Sequence, residues 1–359
     1  MTETLPQRTI DPDKLMSFVF RAVDEVGATL NTALVVMGDK LGYYTAMADG
    51  RPITPAELAE QTATSEPYAR EWLNNQAAGG YVEYDTERDL FRLPDEHAVA
   101  LADENSPFNM LGAFDLFASL WADEDRFVEA FRTGEGIGWH EHDHRLFSGT
   151  ERFFRPGYRA HLVAEWIPAL DGVEAKLKAG AKVADVGCGH GASTVIMAEA
   201  FPNSQFVGYD YHGESIARAR QVAAEAGVAE RCTFEVASAQ DFPGTGFDLI
   251  CNFDCLHDMG DPVGAARHAG SALSPGGTYM IVEPRSGDAL ADNLNPVGRM
   301  FYGASTVICT ANALSQEPRM ALGAQAGEPA LRGVLLDAGF SNVRRAAETP
   351  FNMVLEARL

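Results

Sequence analysis

The residues best suited to chemistry sit in the stretch Val183-Ala-Asp-Val-Gly-Cys-Gly-His-Gly191, in the acid Asp210 and in His257. Gly187 and Gly189 let a backbone turn sharply and approach a ligand with no Cβ in the way. The residues after Gly191 read as a helix, so the free N–H groups at its start face whatever the loop holds. Asp210 closes the run Gln205-Phe-Val-Gly-Tyr-Asp210. An acid there accepts hydrogen bonds from both hydroxyls of a ribose. Gly187, Gly189 and Ala192 also satisfy the G-x-G-x-x-G/A dinucleotide pattern, so spacing alone says only that the ligand is a nucleoside with a ribose diol. His257 stands a few residues beyond a later apolar run, and an imidazole that titrates near working pH can take a proton from a hydroxyl.

These groups need elements that bring them to one edge. Strand character over 182–187, 205–210, 232–237, 247–252 and 277–283 alternates with helical patterns over 192–200, 213–227 and 261–273. Such alternation implies right-handed crossovers and a doubly wound α/β sheet with helices on both faces. Its ligand lies at the carboxyl ends of the strands. Two last strands, 342–348 and 351–358, are joined only by Thr349-Pro350, too short for a crossover, and must pair antiparallel. The expected sheet has seven strands, mostly parallel, with a C-terminal antiparallel hairpin.

The glycine stretch, followed by Gly208-Tyr-Asp210, Ala237-Ser-Ala-Gln-Asp-Phe242, Phe247-Asp-Leu-Ile250, Leu256-His-Asp258 and Leu273-Ser-Pro-Gly-Gly277, resembles the class I S-adenosylmethionine-dependent methyltransferases. The resemblance covers residues 168–359. It implies S-adenosylmethionine as cofactor, with Asp185, Gly187, Cys188, Gly189 and Gly191 at its methionine end, Asp210 at the ribose, and Ser238, Ala239 and Gln240 at the adenine edge. Tyr211, Asn252 and Phe253 complete the implied cofactor positions. Leu256-His-Asp258 with Asp261 resembles the L-H-D-x-x-D segment of O-methyltransferases, where that histidine is the base; Met259 stands where those enzymes usually carry Trp. The implied reaction is methylation of a small molecule at a hydroxyl oxygen, with nitrogen or carbon acceptors left open.

Upstream, apolar residues from Leu15 to Leu41 recur at helical spacing, interrupted at Gly27, Gly38 and Gly42, and form a stripe broad enough for a core or a subunit interface. Thr54, Pro55 and Glu57 read as a capping box, a second short helix spans 66–78, and 81–85 with 90–93 read as a hairpin. Residues 1–100 therefore outline a mainly helical winged helix. Its wing carries Glu83, Asp85, Glu87 and Asp89 against Arg88 and Arg92, a surface that duplex DNA would repel. The segment resembles the dimerising N-terminal domain of small-molecule O-methyltransferases, so a homodimer is expected rather than a nucleic-acid complex. A winged-helix regulator that senses S-adenosylmethionine is the competing reading, and it lacks the basic surface.

Residues 101–170 read as a helical connector contributing to the site, with Phe108, Leu111, Phe114, Phe117, Leu120 and Trp121 as a core face. His140, His142 and His144 alternate and in a strand would converge on a metal, but Gly134, Gly136 and Gly138 favour a loop, and no metal is expected. Trp139, His144, Phe153 and Tyr158, with Met300 and Tyr302 from an insertion over 286–328 read as a lid, are the candidate acceptor-side residues. The catalytic domain spans 171–359. The chain has 359 residues, 46% of them hydrophobic, and a net charge of −23, which argues against a polyanionic partner. Five scattered cysteines suit a reducing cytoplasm. The N-terminus shows no secretory pattern, and no apolar run approaches a membrane span.

Overall fold

The computed structural model describes residues 10–359; the N-terminal stretch on which the lack of a secretory leader was read lies outside them. The chain divides into two units, Met1–Phe114 and Asp115–Leu359.

In the first unit, α1 (Pro12–Lys40) is one uninterrupted helix, started by the Asp11 carboxylate, which accepts from the N–H groups of Asp13 and Lys14. The glycines at 27 and 38 do not break it, against the expectation. Gly38 has a packing reason: a Cβ there would stand 2.4 Å from Cζ2 of Trp72. The indole lies on the helix at that point and donates to the Leu34 carbonyl at 2.8 Å. Tyr43 and Tyr44 pack edge-on against the same ring, and the Tyr44 hydroxyl reaches Gln76, whose amide reaches Asn31 of α1. The capping box forms as read: Thr54 accepts from the N–H of Glu57, whose carboxylate accepts from the Thr54 N–H. Strands β1 (Glu83–Asp85) and β2 (Leu90–Arg92) make the antiparallel wing.

The second unit is built on β3 (Lys182–Val186), β4 (Gln205–Asp210), β5 (Cys232–Val236), β6 (Phe247–Phe253), β7 (Leu273–Pro284), β8 (Asn342–Glu348) and β9 (Asn352–Arg358) in the order β5-β4-β3-β6-β7-β9-β8. Strands β3 to β7 run parallel; β9 runs antiparallel to both β7 and β8. Alternate residues of each strand go to opposite cores, as a period of two requires. Val183, Met280 and Val282 join one cluster with Trp166 and Met197, while Ala184, Tyr279 and Ile281 join the other with Leu331 and Phe340. Burial on both faces explains why these strands read as continuous apolar runs. The chain order reverses between β3 and β6, and a crevice at such a switch point is where an open α/β sheet binds ligands.

The connector is helical, but its aromatic face is divided. Leu111 is buried, Phe117 reaches the cavity described below, and Phe108 and Trp121 are exposed, so the expected single core face is not formed. The insertion supplies the helices Pro296–Ala304 and Thr310–Leu314 with a π turn, Ser305–Cys309, between them.

Candidate active site

A cavity of about 550 Å³ opens at the carboxyl ends of β3, β4 and β6. Its floor is the turn after β3. Gly187, Gly189 and Gly191 all have positive φ, the region where a side chain is strained. The N–H groups of Gly187 and Cys188 both reach the Tyr209 carbonyl, at 2.7 and 3.0 Å, which ties the turn to the end of β4. Asp210 completes the tie: its carboxylate accepts from the N–H of Gly189 at 2.9 Å and of His212 at 2.8 Å. A carboxylate has about four acceptor positions, so two remain for a ligand diol. Burial pushes the Asp210 carboxyl above its ordinary range, while these two bonds oppose that shift.

Asp185 lies just beneath. One oxygen accepts from the hydroxyls of Ser193 and Thr194, both at 2.6 Å, and the other is buried without a hydrogen-bond partner among the described residues. Burial raises this carboxyl to about 6. Ser238, Ala239 and Gln240 border the cavity on the β5 side, with the Ser238 hydroxyl 2.6 Å from Oε1 of Gln240.

His257 stands on the opposite wall, in a short turn after β6, and is buried. Its Nδ1 faces Oε2 of Glu283, and Oε1 of that carboxylate accepts from the backbone N–H groups of Leu256, at 2.9 Å, and of His257 itself, at 3.3 Å. Glu283 thus holds both the ring and the turn that carries it. Its other ring nitrogen, Nε2, lies 3.2 Å from Sγ of Cys309 on the cavity wall. Burial pushes the imidazole down, but the Glu283 carboxylate and the Cys309 sulfur together outweigh it and hold the ring well above the ordinary imidazole range. Sequence reasoning missed Glu283. The available signal was one charged residue in the otherwise apolar run Thr278–Pro284.

A further acid, the half-buried Asp254, follows β6 with φ +51°. Its carboxylate accepts from the Tyr158 hydroxyl and from the Asn352 amide, each at 2.8 Å, and burial raises it to about 7. Asp258, beside His257, is also raised to about 7 by burial.

Of the residues singled out from sequence, the cavity brings together Gly187, Cys188, Gly189, Asp210, Tyr211, Ser238, Ala239, Gln240, Phe253, His257, Trp139, Phe153, Tyr158 and Met300. Others stand behind it. Gly191 starts the helix Ala192–Ala200, where a Cβ would meet the Phe234 ring at 2.9 Å. Asn252 is locked by the Val186 carbonyl at 2.7 Å and by the Tyr279 hydroxyl. Tyr302 turns to Asn293 at 3.4 Å, outside the cavity lining.

The three histidines do not share a face, because Trp139–Glu141 is a single helical turn and not a strand. His140 packs edge-on against Tyr211, and buried His142 meets Asp123 at 3.3 Å. His144 corrects the expectation of an acceptor-side residue: its side chain is 83% exposed, beside Asp143 and away from the lining. Among the described residues no group of three or more His, Cys, Asp or Glu side chains is placed to hold a metal.

Residues 177–325 match the model of a methyltransferase domain, and residues 29–103 that of an Rv2258c-like winged HTH domain. Residues 177–325 thus carry a methyltransferase domain, and residues 29–103 a winged-helix domain before it. Over 131 residues it is 30% identical to 27-O-demethylrifamycin SV methyltransferase of Amycolatopsis mediterranei, a match spanning 34% of this chain and 48% of that enzyme. The match thus spans about half the length of that curated relative. Solved structures extend the likeness to both units. Mitomycin 7-O-methyltransferase aligns over 97% of this chain and 100% of its own, at 18% identity and TM-score 0.70. Human N-acetylserotonin methyltransferase, solved with S-adenosylmethionine, aligns over 99% of both chains at 16% identity and TM-score 0.67. At these identities the likeness is one of fold.

Proposed function

We propose that this protein methylates a hydroxyl of a small, largely apolar molecule, with S-adenosylmethionine as donor. The observation that carries the reading is His257, backed by the buried Glu283, on the wall of a cavity whose other side is the glycine turn and Asp210. Asp210 would hold the ribose diol with its two spare acceptor positions, while Asp185, buried outside the cavity lining, ties down Ser193 and Thr194 at the start of the following helix. The charged side chains of the lining support a cationic donor: Glu151, Asp210, Asp254, Asp258 and Glu317 are acids, and none of the lining residues is Lys or Arg. Such a wall also disfavours polyanionic acceptors.

S-Adenosylmethionine supplies an activated methyl group whose transfer is an in-line displacement, so the chain's task is to align the acceptor, exclude water and manage one proton. Glu283 accepts a hydrogen bond from Nδ1–H of the neutral His257 ring and so leaves the Nε2 lone pair toward the cavity. Nε2 then receives the acceptor's hydroxyl proton, and the imidazolium that forms is stabilised by the carboxylate behind it. Leu116, Phe117, Phe147, Phe153, Met300 and Phe301 supply apolar walls that exclude water from this wall of the site.

The winged unit acts in assembly. Phe18, Val26 and Leu30 of α1 are more than 60% exposed, an apolar face that supports a homodimer, and the acidic wing disfavours duplex DNA. Among the described residues no helix is long and apolar enough to cross a membrane. All five cysteines are free, which supports a cytoplasmic setting.

The direct test is incubation with methyl-labelled donor and a panel of phenols, polyketides and small hydroxy acids, with products read by mass spectrometry. A methyl ether, formed more slowly by His257→Ala, is the expected result. Labelled products found only as N-methyl or C-methyl compounds would overturn the acceptor assignment.

A further inference from the structure

The π turn Ser305–Cys309 delivers a thiol to the base. Sγ of Cys309 lies 3.2 Å from Nε2 of His257, while Glu283 occupies Nδ1. Thiol and imidazole therefore meet on the cavity wall with the carboxylate behind the ring, the order that activates a sulfur nucleophile. Methyl transfer to a hydroxyl uses the imidazole and the carboxylate but has no step for the sulfur.

The other four cysteines are the comparison. Cys188 and Cys255 line the same cavity, so a reagent that reaches Cys309 reaches them as well. Burial holds both of those thiols well above the ordinary range. The partners of Cys255 are the Val186 carbonyl, at 3.4 Å, and the Asn252 amide, at 3.3 Å, and neither is a base. Cys251 and Cys232 are packed in the sheet's core, the latter pushed up to about 12. Among the described thiols, Cys309 is placed against an imidazole nitrogen.

We propose that Cys309 is a modification site: a reactive thiol that gives its proton to Nε2 of His257 while its sulfur attacks a small electrophile or hydroperoxide that enters the cavity. With a hydroperoxide, the S–O bond forms as the O–O bond breaks. The sulfur is oxidised to a sulfenic acid, and the departing oxygen takes the proton held on His257 and leaves as water or an alcohol. With a haloacetamide, the S–C bond forms, the halide leaves, and His257 passes the proton to water. Either adduct fills the space beside Nε2, so the base no longer meets an acceptor. The inference needs no acceptor and no methyl transfer, and it stands or falls apart from the function proposed above.

The test is limited alkylation of the full chain by iodoacetamide at neutral pH, with each cysteine's adduct quantified by peptide mass spectrometry. Cys309 is expected to react about tenfold or more faster than Cys188 and Cys255, which share its access. In His257→Asn that advantage disappears, with thermal melting to show that the variant is folded. Should the variant fail to fold, the ranking of thiols within the wild type still decides. Dimedone tagging after hydrogen peroxide reads the oxidised form and is expected at the same residue. A Cys309 that stays unlabelled, or reacts no faster than Cys255, overturns the proposal.

Discussion

Replacing Glu283 by Gln tests the proposed base with little change of shape. The carboxylate serves three donors: Nδ1 of His257 on one oxygen, and the N–H groups of Leu256 and His257 on the other. A Gln keeps one acceptor oxygen. Facing that oxygen to the backbone preserves two bonds, whereas facing it to the ring loses both and sets the amide NH2 against two N–H donors, at about 1–3 kcal/mol for each buried donor left unpaired. The first arrangement wins, and it presents an NH2 group to Nδ1. Nδ1 must then accept, the ring proton moves to Nε2, and the nitrogen facing the acceptor can no longer take a proton. A wrong tautomer of this kind costs about four powers of ten in a serine-protease triad, and a positioned base is worth roughly two to four.

The expected result for Glu283→Gln is thus a fall in kcat of at least roughly a hundredfold. Affinity for S-adenosylhomocysteine should be little changed, because Glu283 is not among the residues bordering the glycine turn. The pH profile should change as well. In the wild type the raised imidazole must lose its proton before it can act, so kcat rises with pH through a midpoint above about 6.5, the ordinary value. Without the carboxylate the ring loses the main influence that raises it, and any residual midpoint moves down from its wild-type position. The assay is kcat against pH at saturating donor and acceptor, with calorimetric titration of S-adenosylhomocysteine and a thermal melt as controls. A folded Glu283→Gln that turns over within threefold of wild type would refute the reasoning.

Other outcomes follow from the same geometry. Asp210→Ala removes the candidate ribose acceptor and frees two backbone N–H groups; calorimetry should show S-adenosylhomocysteine binding weakened by roughly a hundredfold or more, at 1.5–3 kcal/mol for each charged hydrogen bond. Asp254 has a raised folded value of about 7, so its burial favours the folded state at low pH and that contribution is lost as pH rises from about 4 to 7. Asp254→Asn should accordingly flatten the fall of Tm across that window, as read by calorimetric melts at several pH values. Phe18→Glu combined with Val26→Glu should shift light scattering from dimer to monomer with the donor affinity retained. A wild-type monomer at micromolar concentration would refute the proposed homodimer.

Much of this arrangement was legible because it is local. The turn Gly187–Gly191 follows β3 directly and needs positive φ, which only glycine adopts freely, so strand, turn and helix are all written in one stretch. The antiparallel pair β8 and β9 followed from a linker too short for anything else. Glu283 and Cys309 were not legible as partners of His257, because they come from 26 and 52 residues further along, and their approach depends on strand register and a π turn. His144 misled because its neighbours Trp139 and His140 do reach the cavity, while the turn between them leaves its own side chain in solvent. Gly27 and Gly38 read as interruptions of α1 because propensity is local, while the packing of Trp72 against Gly38 is not.

The measurement closest to the central claim is calorimetric titration of the wild-type chain with S-adenosylhomocysteine and, separately, with a nicotinamide dinucleotide. The account predicts one saturable S-adenosylhomocysteine site per chain and no tighter binding of the dinucleotide. No binding of S-adenosylhomocysteine, or a clear preference for the dinucleotide, would contradict it.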